Sequence, residues 1–346
     1  MWSANKKIRV MVVDDSVLAR TIITQGLAKH PRIEIVGTAF NPRDAMGKVS
    51  QLRPDVITSD IEMPGMSGLD FLKQLLPKYP LPVILVSSLN LRVFDALSAG
   101  AVDFVRKPDS AQGNDAFINN LTQKVISAAG AKVRQTPASI TQASPVAPLG
   151  NRPGLNNVII GLGASTGGTE ATLEVLKRLP ADIPGMVITQ HMPTGFTQMY
   201  AERLNRLCNM EVREAKSGDE IRRGLVLLAP ADLQMRVVRT GSRYTVSCTP
   251  GEKVSGHRPS VDALFFSMAE QVKCKMVGII MTGMGRDGAD GLLQMRKAGA
   301  FTIGQDKESC VVYGMPMVAQ NIGAVQIQAS CENIPAVLLR QLNTLQ

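Results

Sequence analysis

The stretch Val158-Ile-Ile-Gly-Leu-Gly-Ala-Ser-Thr-Gly-Gly-Thr169 runs from an apolar, β-branched segment into glycines and hydroxyls. That pattern predicts a strand, a tight turn and a helix, the unit from which parallel α/β sheets are built. A dinucleotide fingerprint would need Gly or Ala at the sixth place counted from Gly161 and Gly163, and Thr166 stands there. Gly163 and Gly168 have the spacing of a phosphate loop, but Thr169 occupies the lysine position. Gly163-Ala-Ser165-Thr-Gly167 does fit G-x-S-x-G, a sharp turn that presents a serine oxygen. A tight turn whose serine merely caps the helix also accommodates these five residues.

A serine nucleophile needs a base, and the base needs an orienting carboxylate. The chain has three histidines. His30 precedes Pro31 and reads as a helix-end residue. His191 closes the apolar run MVITQH and so shares a strand-end crevice with Ser165, whereas His257 lies in the polar loop GHRPSVD. GIIMTGMGRDGADG offers Asp287 and Asp290 beyond another buried strand, with helix capping as the alternative role. Ser165, His191 and Asp287 would run Ser, His, Asp. The α/β-hydrolase order, Ser, Asp, His, would instead use His257 with Asp182, Asp219 or Asp232.

Around this segment, 186–191, 225–230, 276–283 and 301–305 read as strands and 168–178, 194–207, 260–273 and 287–298 as helices. Residues 233–248 suggest a hairpin. Upstream, strands at 8–15, 33–39, 56–60, 82–88 and 103–108 alternate with helix-length segments. Between these halves AKVRQTPASITQASPVAPLGNRPGLNN lacks large apolar residues and any period, which predicts a flexible linker. The expected plan is two doubly wound α/β domains with parallel sheets, a flavodoxin-like one over 1–130 and a Rossmann-like one over 157–346, joined by a linker over 131–156.

Ligands of open parallel sheets bind beyond the carboxyl ends of the strands. In the first half those ends carry Asp14, Asp15, Asp60, Ser87 and Lys107. Three carboxylates together suit Mg²⁺, a carboxylate beside the ion can attack a phosphoryl group, and Ser87 and Lys107 can hold phosphoryl oxygens.

Composition sets limits. Apolar residues make up 45% and charged residues 19% of the 346, as in ordinary globular proteins. No apolar run reaches the about 18 residues that span a bilayer, and the N-terminal residues lack a signal-peptide core. Five cysteines without a C-x-x-C pair argue for a reducing compartment, hence the cytoplasm, and against zinc. The net charge of +9 is spread over both halves without a basic run, so it does not demand nucleic acid.

Residues 7–128 resemble the receiver domain of two-component response regulators, on Asp14, Asp15, Asp60-Ile-Glu-Met-Pro-Gly-Met-Ser-Gly68, Ser87, Phe104 and Lys107. The resemblance implies Asp60 as phosphoacceptor, Asp14 and Asp15 as Mg²⁺ ligands with it, Ser87 and Phe104 as the switch pair and Lys107 as the phosphate-contacting lysine. Over nearly the whole chain the order receiver, linker, GASTGG, ITQHMP, GHRPSVD, MTGMGRDG resembles the chemotaxis response-regulator protein-glutamate methylesterases, the CheB family. This resemblance implies a catalytic triad of Ser165, His191 and Asp287, oxyanion donors at the amides of Thr166 and Met284, and no cofactor for the ester chemistry. It further implies methylated chemoreceptor helices as substrate, release of methanol, deamidation of receptor glutamines, control by phosphorylation and a histidine kinase as phosphodonor. A receiver-linked DNA-binding regulator and a non-catalytic adaptor are the competing expectations. About 190 residues of α/β pattern are too many for a helix-turn-helix module, and an adaptor needs no triad.

Overall fold

The computed structural model describes residues 6–88, 92–108, 113–133, 146–150 and 152–344. Two compact units divide the chain, Met1–Ile140 and Thr141–Gln346.

The first unit is a five-stranded parallel sheet of β1 (Ile8–Val13), β2 (Ile33–Ala39), β3 (Val56–Asp60), β4 (Val83–Ser87) and β5 (Asp103–Arg106), in the order β2-β1-β3-β4-β5. The central strands β3 and β4 are buried throughout, because helices cover both faces of such a sheet. Those helices are α1 (Val17–Ala28), α2 (Pro42–Leu52), α3 (Gly68–Leu75), α4 (Arg92–Ser98) and α5 (Asn114–Ala128). Ser16, Asn41 and Ser67 cap α1, α2 and α3 by accepting from the amides of Ala19, Asp44 and Asp70. This strand order is that of the flavodoxin-like fold, with its crevice between β1 and β3.

Of the expected linker, residues 134–145 and 151 lie outside the described residues. Its C-terminal end is tied down: the Asp182 carboxylate accepts from the amides of Leu149 and Gly150, and the Arg223 guanidinium donates to Asp182 and to the Gly150 carbonyl. A single 3-10 turn, Pro153–Asn157, then leads into the second sheet.

That sheet has seven strands, all parallel, in the order β14-β13-β12-β6-β7-β9-β8. They are β6 (Val158–Ala164), β7 (Gly185–Gln190), β8 (Glu211–Glu214), β9 (Leu225–Leu228), β12 (Lys275–Ile280), β13 (Phe301–Gln305) and β14 (Ile327–Ala329). From β6 the chain goes to β7 on one side and later returns through β12 on the other, so the order reverses at β6. The expected hairpin is β10 (Gln234–Thr240) and β11 (Arg243–Thr249), turning through Gly241-Ser242. Helix α8 (Val261–Gln271) packs on it, with Leu264, Phe265 and Met268 in a core shared with Leu292 and Met295 of α9 (Ala289–Lys297). Helices α6 (Gly168–Leu176), α7 (Phe196–Leu207), α10 (Met315–Asn321) and α11 (Ile334–Thr344) complete the layers. Strands β8 and β14 and helices α10 and α11 have no counterpart among the sequence-based expectations. β8 reads EVRE and buries only Val212. β14 is three residues long.

Candidate active site

β6 ends at Ala164, and α6 begins at Gly168. Between them Gly167 takes φ +76°, a left-handed conformation in which any Cβ would also meet the Val311 side chain at 2.5 Å. Only glycine makes this turn, and the turn leaves Ser165 at the sheet edge. The Ser165 amide donates to the Thr282 carbonyl at 2.9 Å, which ties it to the end of β12. Gln190, the last residue of β7, donates its Nε2 to the Ser165 carbonyl at 2.8 Å.

His191 is one residue beyond β7, and its amide donates to the Ala164 carbonyl at 3.1 Å. Its Nδ1 lies 3.1 Å from Ser165 Oγ, and its Nε2 lies 2.7 Å from Asp287 Oδ2. With Nε2–H donating to the carboxylate, the Nδ1 lone pair faces the hydroxyl and can accept its proton. This pairing of ring nitrogens is the reverse of that in chymotrypsin-like triads, although the roles match.

Asp287 is 1% exposed. Its Oδ1 accepts from Ser260 Oγ at 2.7 Å and from the Asp262 amide at 2.9 Å; its Oδ2 accepts from the Val261 amide at 2.8 Å as well as from His191. Burial alone would raise the Asp287 carboxyl, but the bonds from His191, Asp262 and Ser260 outweigh it and hold the group below its ordinary value. It stays a carboxylate at neutral pH. The neighbouring Asp262 lies above its ordinary value, chiefly through burial.

His257 reaches the same place by another route. Its ring stacks on that of His191 with centroids 3.8 Å apart and 10° between planes. Gln234, fully buried, holds the loop that carries it by donating to the carbonyls of Glu252 and His257. The carboxylates of the alternative order are occupied elsewhere: Asp182 by Arg223, Asp219 by Arg213 and Asp232 by Arg258. Asp290 pairs with Arg286 at the surface. His30 follows α1 and accepts from the Arg32 amide through Nδ1.

Thr166 directly follows Ser165, and Met284 lies two residues beyond Thr282, whose carbonyl accepts from the Ser165 amide. Thr166 is buried, and its carbonyl accepts from Thr282 Oγ1 at 3.0 Å. Met284 is 36% exposed, and its amide donates to no hydrogen bond among the described residues.

The first unit carries a second centre. Carboxylate oxygens of Asp14, Asp15 and Asp60 lie within 4.8 Å of one another, a donor set that fits a hard divalent cation such as Mg²⁺. Lys107 Nζ stands 2.5 Å from Asp60 and 2.8 Å from Asp14. Burial raises the Asp60 carboxyl against the opposing pull of Lys107. Burial would lower the Lys107 ammonium, but Asp14 and Asp60 outweigh it and hold it above its ordinary value. Ser87 Oγ is buried without a hydrogen-bond partner among the described residues. Phe104 is buried edge-on to Phe94 at 6.5 Å.

Comparison with known proteins matches each unit to a family. Residues 160–338 match the family model described as CheB methylesterase, and residues 10–117 match that of the response regulator receiver domain. The chain belongs to the CheB methylesterase family. A protein-glutamate methylesterase/protein-glutamine glutaminase of Syntrophomonas wolfei is 48% identical over 98% of this chain and 99% of its own. One from Syntrophotalea carbinolica is also 48% identical, over 95% of this chain and 96% of its own. The solved CheB methylesterase catalytic domain of Thermotoga maritima is 34% identical, with a TM-score of 0.52, and covers 53% of this chain and 97% of that one. The second unit of this CheB-family chain is therefore an α/β hydrolytic domain and not a DNA-binding module. No helix among the described residues is long and apolar enough to cross a membrane.

The sequence reading missed Gln190, Gln234 and Ser260 as parts of the site. Ser260 does carry a signal, that of a helix cap before an apolar run. The two glutamines carry none, because most of their partners are backbone groups distant in sequence.

Proposed function

We propose that this chain is a phosphorylation-controlled protein-glutamate methylesterase and protein-glutamine glutaminase acting on methylated chemoreceptors in the cytoplasm. The observation that carries the reading is the connected set Ser165 Oγ, His191 Nδ1, His191 Nε2 and Asp287 Oδ2, at 3.1 and 2.7 Å. Ser165 donates its proton to His191 Nδ1 and attacks the carbonyl carbon of the γ-methyl ester. Asp287 balances the imidazolium that forms and keeps the ring in the required tautomer. The Thr166 and Met284 amides hold the oxyanion, each worth about a hundred- to a thousandfold in rate by comparison with other hydrolases. The tetrahedral centre collapses, the proton on Nδ1 passes to the methoxy oxygen, and methanol leaves. Water, deprotonated by the same nitrogen, then splits the glutamyl–serine ester and restores the hydroxyl. A glutamine side chain follows the same course with ammonia as leaving group.

In the receiver, Asp60 accepts the phosphoryl group from a histidine kinase, and Asp14, Asp15 and Asp60 would hold Mg²⁺, whose charge would offset that of the phosphoryl oxygens. Lys107 and Ser87 then take phosphoryl oxygens, and Phe104 transmits the change. The test is methanol release from methylated receptor membranes, with and without a small-molecule phosphodonor. Release that disappears in Ser165→Ala and rises with the phosphodonor is expected. Equal release by Ser165→Ala would overturn the assignment.

A further inference from the structure

Ser260 occupies a position that neither the fold nor helix capping alone requires. It is fully buried at the start of α8, and its Oγ has two partners. It accepts from the Ala263 amide at 3.2 Å, an ordinary N-cap bond, and it donates to Asp287 Oδ1 at 2.7 Å. Its backbone is fixed as well, since its amide donates to Gln234 Oε1 at 2.9 Å. The Asp287 carboxylate thus meets three donors from the first residues of α8, namely Ser260 Oγ and the amides of Val261 and Asp262.

The two backbone donors constrain one oxygen each. The Val261 amide shares Oδ2 with His191 Nε2, and the Asp262 amide shares Oδ1 with Ser260. Rotation of the carboxyl about its Cβ–Cγ bond would move Oδ2 off the imidazole, and among the described residues Ser260 is the one side-chain hydroxyl that, beside the Asp262 amide, holds Oδ1 against that rotation. We infer that Ser260 is a positioning residue of the hydrolytic site, a fourth link after Ser165, His191 and Asp287. Its donated hydrogen bond sets the carboxylate orientation that His191 uses in the transition state. The inference rests on the triad reading of the preceding section.

It predicts a kcat effect with little KM effect, because the bond matters most when the imidazole carries a proton and Asp287 must face it. Glycine is nearly as good an N-cap as serine but has no hydroxyl, so Ser260→Gly separates the two roles. Loss of a hydrogen bond to a charged group corresponds to about a 10- to 100-fold fall in kcat.

The experiment uses the full chain with phosphodonor present throughout and methanol release from methylated receptor membranes as readout. It compares wild type, Ser260→Gly, Asp287→Asn and the double variant, with Ser260→Cys as an isosteric variant of weak donor strength. Thermal unfolding is followed in parallel. Expected are a kcat for Ser260→Gly lower by about 10- to 100-fold with KM within about twofold, and an intermediate kcat for Ser260→Cys. In the Asp287→Asn background, Ser260→Gly should change kcat by less than about twofold, because the group through which it acts has gone. A purely structural serine would instead lower kcat by the same factor in both backgrounds, which overturns the inference. Wild-type kcat in Ser260→Gly beside an inactive Asp287→Asn overturns it while leaving the triad standing. Full activity in Asp287→Asn overturns both.

Discussion

At His191 two neighbours compete for importance, and magnitudes separate them. The Asp287 carboxylate touches Nε2 at 2.7 Å, while the His257 ring covers one face of the imidazole at 3.8 Å between centroids. A stacked aromatic pair is worth about 0.5–1.5 kcal/mol beyond its buried area, which is about a 2- to 13-fold effect. Loss of the base itself removes the proton acceptor and should cost on the order of 10⁴-fold or more in kcat. His191→Ala is therefore expected to match Ser165→Ala in methanol release, and His257→Ala to retain activity within about tenfold of wild type. The opposite ranking would make His257 the base and remove Asp287 from its role. His191 is legible in the sequence because it ends a strand adjacent to that of Ser165. The stack is not, because Gln234 sets the His257 loop from a hairpin 23 residues away in sequence.

At the scale of elements, the site exists because three strand ends converge where the sheet order reverses. β6 brings Ser165, β7 brings His191, and the loop after β12 brings Asp287 and Met284. The approach of that last loop to the serine turn depends on Gly283. A Cβ there would lie 2.6 Å from Ser165 Cβ and 2.3 Å from Met315 Sδ, closer than real atoms come. Gly283→Ala must push the serine turn or α10 aside, and a shift near 1 Å at the reacting atoms costs about 100-fold in rate. The expected outcome is a large loss of kcat in a protein that still unfolds cooperatively. Near-normal turnover in Gly283→Ala would show that the loop and the turn are not packed this closely. The central strands were readable as continuous apolar runs, as buried parallel strands must be. The sheet margins were not, for a different reason at each. β8 alternates charged residues with a single buried valine, and β14 is too short to show a period. α11 does carry a helical spacing in the sequence, with Ile334, Leu338 and Leu342 all buried.

For the whole molecule, the function proposed above requires that phosphorylation of Asp60 in one unit change hydrolysis in the other. Lys107 bridges Asp14 and Asp60, and Ser87 Oγ lacks a hydrogen-bond partner among the described residues. In the function proposed above, a phosphoryl group on Asp60 would offer both of them new oxygens, so Lys107 would exchange partners and β4 and β5 would adjust around Ser87 and Phe104. The two units share one chain, and domains joined by a short linker meet at an effective concentration near millimolar, at which even a weak mutual affinity acts. A tenfold change in activity needs only about 1.4 kcal/mol between two states. The expectation is that the unphosphorylated receiver restrains the esterase and that phosphorylation relieves the restraint. The measurement compares methanol release by the full chain, the full chain with phosphodonor and Mg²⁺, Asp60→Asn under the same conditions, and a fragment covering residues 150–346. The fragment should exceed the unphosphorylated full chain, the phosphodonor should raise the full chain toward it, and Asp60→Asn should not respond. Withholding the divalent cation should abolish the response while leaving basal release unchanged, because the Asp14, Asp15 and Asp60 cluster lies in the receiver and the triad chemistry uses no metal in the scheme above. A fragment as slow as the unphosphorylated chain, with no response to the phosphodonor, would mean that the receiver acts by localising the enzyme to its receptors.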